Sequence, residues 1–181
     1  MTEILQEKWM KGVAITTTVL AVMTSIVSAR SASCVSKIQI LTAKEGSQWN
    51  YFQAKSIKLH LAENQKTSFE IALLGVNNPA QRQAVEAKIN DLTQNTARYA
   101  VEKDQLQKDA IAVGEQNRHI QKQNNQFVIS VVFFQIAIML SSVSALMKRK
   151  EMWVIGIIFG IIALFFFANG FLLFYQLPFV F

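Results

Sequence analysis

The residues of this chain that could carry out chemistry are few and lie far apart. The sequence has two histidines, His60 and His119, and a single cysteine, Cys34. It contains no CxxC or HExxH motif, and its Asp and Glu residues do not cluster at the spacing of metal ligands. A nucleophile with its acid and base cannot be assembled from these residues. The sequence therefore predicts a protein that is not an enzyme, with no catalytic, metal-binding or cofactor-binding residues.

Cys34 and His119 form the one pair that a helical hairpin would bring together. When two helices turn back on each other near Asn77, residue x faces roughly residue 154 minus x, which places His119 opposite Val35. A thiol beside an imidazole is a potential nucleophile. A cysteine on a helix seam more often packs as a small apolar side chain, and this is the role that we expect for Cys34.

Four residues in the apolar parts of the chain are candidates for helix packing. Gly156 and Gly160 form a GxxxG pair, and small residues allow membrane helices to approach closely. Alternatively, the pair has no packing role, because glycine is common in membrane helices. Gln135 and Asn169 are strongly polar, and a single amide on a helix is typical of an interhelical hydrogen bond. An ion or substrate pathway normally needs charged or densely polar residues, so these four residues favour packing over transport.

Elements of two kinds must position these residues, because the composition changes sharply along the chain. Residues 34–126 hold 21 of the 30 charged residues, whereas 11 of the 13 phenylalanines lie between Phe127 and Phe181. A helix of roughly 20 apolar residues crosses the hydrocarbon core of a bilayer. Three stretches have no charged residue: Gly12–Ala29, Phe127–Met147 and Met152–Phe181. We therefore predict three transmembrane helices, over residues 12–30, 127–147 and 152–175, followed by a tail at 176–181.

The first of these stretches also has features of a secretory signal peptide: a short charged start, an apolar run and small residues before Cys34. However, Arg30 interrupts the run, and Ser31 stands where a lipoprotein cleavage site usually has an aliphatic residue. Its threonine and serine hydroxyls can bond to the carbonyl groups of their own helix and so do not prevent insertion. We therefore expect this segment to be retained as a transmembrane helix.

The distribution of Lys and Arg predicts the orientation of the helices. Residues 1–11 and the turn 148–151 carry five basic residues in fifteen positions, whereas the fifteen residues at each end of the middle segment carry five in thirty. Lys and Arg are enriched in cytoplasmic loops. We therefore predict that residues 1–11 and 148–151 are cytoplasmic and that residues 31–126 lie outside the membrane.

The middle segment, residues 31–126, predicts a long helical hairpin. The run from Gly75 to Pro79 combines Gly, Asn and Pro and is the strongest breaker signal of the segment, so we place the turn at 75–79. On either side, apolar residues recur at alternating steps of four and three, at nine of thirteen positions from Val85 to Phe127 and at eight of twelve from Cys34 to Leu73. This spacing is typical of a left-handed coiled coil. Gly46 is a weak point at which the first arm could kink.

The predicted fold is therefore an all-α membrane protein, with three transmembrane helices and a long antiparallel coiled-coil hairpin between the first and second. Two arms alone leave apolar residues uncovered, which implies a second contact face. We expect hairpins of several copies to associate side by side as a homo-oligomer. The uncovered residues are Tyr51, Ile57, Leu61, Ile71, Val101 and Ile111.

Two stretches of the chain carry a resemblance to a known family. The first reads Ser47-Gln-Trp-Asn-Tyr-Phe-Gln-Ala-Lys-Ser-Ile-Lys58, followed by His60-Leu61, and the second runs from Phe127 to Lys150. From about Gly12 to Leu173 the chain resembles a bacterial membrane-protein family, domain of unknown function 4337. The resemblance implies the same architecture and a location in the bacterial cytoplasmic (inner) membrane. It brings no activity, substrate or cofactor.

The first of these stretches also contains a candidate interaction patch. Trp49 and Gln53 lie one helical turn apart on one face, and nearby lysines make the surface locally cationic. The patch would bind a partner or contact another copy; alternatively, Trp49 is a packing residue that fills a gap beside Gly46. The residues of the patch are Trp49, Tyr51, Gln53, Lys55, Ser56 and Lys58.

These observations favour an integral membrane scaffold or protein-interaction subunit. Its partners would be membrane lipid, further copies of itself and another membrane or extracytoplasmic protein. The alternative is a small oligomeric channel or transporter component, with a pore lined by the Thr-rich first helix. The net charge of +6 does not indicate nucleic-acid binding, because the middle segment has twelve basic and nine acidic residues with the signs interspersed.

Overall fold

The computed structural model of the chain describes residues 2–173, with side chains from Trp9 onward. Three helices account for nearly all of these residues: α1 (Thr2–Leu73), α2 (Pro79–Met147) and α3 (Lys150–Leu172). The described residues contain no strand, which confirms the predicted all-α class. By length and composition, each helix is able to cross a membrane. The predicted tail, 176–181, and the end of the predicted third span lie outside the described residues.

α1 is one continuous helix of 72 residues. It contains both the predicted first transmembrane segment, 12–30, and the whole first arm of the predicted hairpin. The helix runs through Gly46 without a break. One glycine costs a helix only about 1 kcal/mol relative to alanine, and strong helix formers on both sides outweigh that loss. The expected weak point is therefore not a kink.

Residues 74–78 join α1 to α2. The N–H of Gly75 donates a hydrogen bond to the carbonyl oxygen of Ala72 at 3.1 Å, which satisfies one of the free carbonyls at the end of α1. Asn78 caps α2, because its Oδ1 accepts a hydrogen bond from the N–H of Ala80 at 2.9 Å. Pro79 is the first residue of α2, where its missing N–H loses no helical bond. The turn thus begins and ends one residue before the predicted 75–79.

Lys148 and Arg149 join α2 to α3. Lys148 adopts the left-handed conformation, with φ of 52°. Ser144 holds the turn in place, since its Oγ donates a hydrogen bond to the carbonyl oxygen of Arg149 at 2.7 Å. The turn is shorter than the predicted 148–151 because Lys150 and Glu151 already belong to α3. An acidic residue in the first turn, here Glu151, interacts favourably with the helix dipole.

The chain forms two compact units. The first, here named the apolar unit, comprises residues 1–39 and 117–181, and the second, here named the arm unit, comprises Ile40–Gln116. In the apolar unit the buried core consists of Val27, Phe127, Phe134 and Ala163, so all three helices contribute to it. Aromatic pairs surround this core: the ring of Phe127 meets that of Phe171 edge to face, with centroids 5.2 Å apart.

In the arm unit α1 and α2 contact each other through a few buried residues and several charged ones. Lys55 Nζ lies 5.2 Å from the ring centroid of Tyr99, and Lys103 Nζ lies 5.9 Å from that of Phe52. The first pair lies at the register expected for a turn near Asn77, and the second lies one residue from it. The buried apolar residues of this unit are Leu59, Ala62, Leu92, Ala110 and Val113.

Candidate interaction site

The six residues of the predicted patch lie on two different faces of α1. Trp49, Lys55 and Ser56 are half-buried, on the side of α1 that contacts α2. Tyr51, Gln53 and Lys58 are exposed. A helix turns by about 100° per residue, because 3.6 residues complete a turn, so neighbours in a short string necessarily point in different directions. The patch is therefore one strip that packs and one strip that faces outward.

Lys55 anchors the packed strip. Its Nζ forms an ion pair with Glu102 Oε2 of α2, and it also lies over the ring of Tyr99. Arg98 approaches the same carboxylate, with Nε 3.9 Å from Glu102 Oε1. The hydrogen bond from Lys55, with smaller contributions from the charges of Lys55, Arg98 and Lys58, lowers the pKa of the Glu102 carboxyl below its ordinary value. Lys55 thus fastens α1 to α2 and is not available as a free surface charge.

Trp49 packs against Phe52 rather than beside Gly46. The two rings meet edge to face, with centroids 5.5 Å apart and an interplanar angle of 84°, which is a favourable aromatic geometry. A Cβ added at Gly46 would meet no atom within 4 Å, so nothing fills the space beside that glycine. The interpretation of Trp49 as the filler of a gap at Gly46 is therefore wrong. Its partner is an aromatic residue three positions further along the same helix.

The outward strip belongs to a wider exposed apolar surface. Tyr51 is 60% exposed and Ile57 is 61% exposed. All six apolar residues that the sequence predicts to be left uncovered by the hairpin have exposed side chains, on α1 and on α2. The further members are Leu61, Ile71, Val101 and Ile111.

The two histidines and the cysteine differ in their surroundings. His60 is exposed and its Nδ1 lies 3.2 Å from Glu63 Oε2 on the same helix. His119 is exposed, whereas Cys34 is half-buried and packs against the apolar core around Val27 and Phe127. The position of Cys34 is that of a small apolar residue. Among the described residues, no group of three His, Cys, Asp or Glu side chains could hold a metal ion.

The two glycines of the GxxxG pair face different helices. A Cβ at Gly156 would lie 3.1 Å from the carbonyl oxygen of Ala137 and 3.0 Å from Ser141 Oγ, both on α2. A Cβ at Gly160 would lie 3.0 Å from Leu20 Cδ2, on α1. Both glycines are buried. Each one lets a different neighbour within the same chain approach α3.

The two amides of the apolar segments also differ. Asn169 is buried, and its Nδ2 donates a hydrogen bond of 2.9 Å to Gln126 Oε1. Gln135 is exposed on α2. Its amide reaches the outside of the apolar unit, whereas Asn169 is paired inside it.

Several packing residues were not among the sequence candidates. Gln126 stands one position before the second charge-free stretch, and no local pattern marks it as the partner of Asn169. Ser130 is fully buried and its Oγ donates a hydrogen bond to the carbonyl oxygen of Ala163 at 2.8 Å. A signal for it exists in the sequence, since Ser130, Ala137, Ser141 and Ser144 recur on one face of α2 at helical spacing.

The chain matches one protein family over nearly its whole length. The family is described as Domain of unknown function (DUF4337), and residues 9–173 match its model. No curated protein matches the chain. No solved structure matches it.

Proposed function

The chain belongs to the DUF4337 family, and we propose that it is a multi-pass membrane protein that acts as a homo-oligomeric scaffold or interaction subunit, without enzymatic activity. In this proposal α1, α2 and α3 each cross a bacterial cytoplasmic membrane once, and the N-terminus is cytoplasmic. The arm unit forms an antiparallel coiled-coil hairpin outside the membrane. Its exposed apolar surface binds further copies and an extracytoplasmic or membrane partner.

The exposed apolar side chains of the arm unit carry this proposal. Lipid covers exposed apolar residues within a bilayer, but the arm unit holds 18 of the chain's charged residues and is polar in composition. Within it Ile40 and Ile71 are each 65% exposed. Large apolar surfaces that face water mark sites of protein interaction. A second protein surface is the simplest cover for them.

The burial pattern supports the coiled-coil part of the proposal. Each of the five buried apolar residues of the arm unit occupies a position of the predicted 3.5-residue seam, Leu59 and Ala62 on α1 and the other three on α2. All the other seam positions of the arm unit are half-buried, including Phe52 and Lys55. A seam of this kind buries one side of each arm and leaves the other side free to bind.

The polar side chains of the apolar unit favour a scaffold over a channel. The threonine hydroxyls of α1 are occupied by their own helix: Thr17 Oγ1, for example, donates to the carbonyl oxygen of Val13 at 2.8 Å. Ser130 bonds to α3, and Asn169 bonds to Gln126. A water-filled pathway needs polar groups that face the pathway, and these groups are already paired within one chain.

Native mass spectrometry of the full chain in several mild detergents tests the proposal. We expect one oligomer with a defined number of copies, two or more, in every detergent. In a second experiment, purified protein in planar bilayers should give no reproducible current. A monomer in every detergent would contradict the homo-oligomer. An ion-selective conductance would instead favour the channel.

A further inference from the structure

The arm unit has a second surface with coiled-coil spacing, on the opposite side of α1 from the seam. Starting at Ile40 and stepping alternately by three and four residues to Ile71 defines ten positions, here named the outer stripe. All ten side chains are exposed. Six are apolar, and the other four are two serines and two asparagines, Asn50 and Asn64. The apolar members are Ile40, Ala43, Ala54, Ile57, Leu61 and Ile71.

The outer stripe has no charged residue. Seven charged residues lie between Ile40 and Ile71, and all of them are on the seam or on the flanks of the stripe. The face of a helix that points away from its partner normally carries the charges, because that face is the most hydrated. Here the most distant face is uncharged over about 47 Å of helix. Its spacing is also the one that allows two helices to keep contact along a supercoil.

We propose that the outer stripe is the contact surface for a second copy of this chain, with the two α1 helices parallel and in register. This inference rests on the proposed membrane insertion, because two copies inserted in the same direction present their α1 helices in the same direction. A parallel pair places each stripe residue opposite itself. Asn50 then meets Asn50, where each amide can donate to and accept from the other.

The charges beside the stripe favour the same orientation. One flank carries Lys44 and Lys58, whereas the other carries uncharged side chains and His60, with Glu63 and Glu70 at its edge next to the seam. In a parallel pair the two unlike flanks meet, so Lys58 of one copy lies near Gln53 of the other and no lysine faces a lysine. In an antiparallel pair each flank meets itself, and the lysine flank of one copy lies against that of the other. Repulsion between like charges therefore disfavours the antiparallel arrangement.

The proposal also explains the outward half of the predicted patch. Ala54 and Ile57 are members of the stripe, and Tyr51, Gln53 and Lys58 lie on its flanks. Lys55, which lies between Ala54 and Ile57 in the sequence, joins α1 to α2 through its ion pair with Glu102. A single string of ten residues thus serves two contacts, one within the chain and one between copies.

Cysteine cross-linking in native membranes tests this arrangement. In a Cys34→Ser background, the full chain would carry one cysteine at a time: Ala43→Cys, Ala54→Cys or Ile71→Cys on the stripe, and Ala87→Cys at an exposed alanine on α2 as the control. A copper–phenanthroline oxidant then joins two thiols only where their Cα atoms approach within about 7 Å. We expect disulfide-linked dimers at all three stripe positions, several-fold more abundant than at Ala87→Cys.

Each other outcome is informative. Cross-linking at only one of the three stripe positions would overturn the parallel register, because antiparallel helices bring only the residue at their crossing point opposite itself. A product whose mass is not twice that of the chain would identify a different protein on the stripe. No cross-link in the membrane, together with an oligomer in native mass spectrometry, would overturn this surface and leave the proposed homo-oligomer standing. A monomer in both measurements would overturn both proposals.

Discussion

Asn169 Nδ2 donates a 2.9 Å hydrogen bond to Gln126 Oε1, and both side chains are almost completely buried, at 3% and 4% exposure. This bond joins α3 to α2 at the end of the apolar unit where Phe127 meets Phe171. In an apolar environment an unpaired amide loses its hydrogen bonds to water and gains none in return. The bond between the two amides therefore stabilises the contact between α2 and α3.

We expect Asn169→Leu and Gln126→Leu each to destabilise the chain by about 1 kcal/mol, because each removes the hydrogen bond that joins two buried amides. The double variant should lose less than the sum of the two, since it removes both partners. Thermal unfolding in detergent measures this cycle. Gln135→Leu replaces an exposed amide on α2 and should leave the unfolding temperature of the monomer unchanged. Strict additivity would contradict the pairing.

The glycines of α3 should differ in their tolerance of alanine. A Cβ at Gly170 would lie only 2.5 Å from Phe127 Cε1, whose ring is buried in the core, and a Cβ at Gly156 would press on the backbone of Ala137. At Gly160 the nearest atom is the end of the flexible Leu20 side chain. We expect Gly170→Ala and Gly156→Ala to cost about 1–3 kcal/mol, and Gly160→Ala to cost clearly less. Unfolding temperatures of the three variants in one detergent would show this order, and equal effects would contradict it.

The ion pair between Lys55 and Glu102 should make the arm unit sensitive to acid. The folded-state pKa of Glu102 lies below the ordinary value of 4.5, so its contribution to stability is complete above that pH. It is lost as the pH falls from 4.5 through the lowered pKa and the carboxylate becomes protonated. Circular dichroism of unfolding across this range measures the loss.

The matched control for this prediction is Glu86→Gln. Glu86 pairs with Arg82 on the same helix, and both side chains are more than half exposed. Exposed pairs within one helix contribute little. We therefore expect Glu102→Gln to reduce the dependence of stability on acid and Glu86→Gln to leave it unchanged. The same pH profile in both variants would show that the pair between the arms has no special role.

A charge on the outer stripe should prevent assembly without unfolding the chain. Ile57 is 61% exposed on the stripe, and Val101 is 71% exposed on α2, away from it. We expect Ile57→Glu to shift the protein to a monomer in native mass spectrometry with helical content retained, because a charge would be buried between the copies. Val101→Glu should leave the oligomer intact. Loss of the oligomer in Val101→Glu alone would place the contact on α2.

The orientation of the arm unit is accessible to thiol labelling. In a Cys34→Ser background, Gln81→Cys introduces an exposed thiol near the start of α2, away from the outer stripe. If the N-terminus is cytoplasmic, a membrane-impermeant maleimide should label this thiol in intact cells with an accessible periplasm. Labelling that requires disruption of the cytoplasmic membrane would reverse the orientation.

The all-α class, the two breakers and the apolar stretches could be read from the sequence because they depend on local composition. The run from Gly75 to Pro79 interrupts any helix, and stretches without charge have the length that a bilayer requires. The buried and half-buried positions of the arm unit could also be predicted, because a 3.5-residue period needs only the order of residues along one chain. Gly46 was a local signal for a kink that does not occur, because the helix-forming residues on either side keep α1 continuous.

The sequence by itself determined which stretches are apolar, where α1 ends and which side of each arm is buried. Only the tertiary structure decided that Gly156 meets α2 while Gly160 meets α1, that Asn169 pairs with Gln126, and that Lys55 is fastened to Glu102. The physical reason is that these contacts depend on how each helix is rotated about its axis and on the register between helices. Rotation and register follow from the packing of side chains that are distant in sequence, and local composition does not encode them.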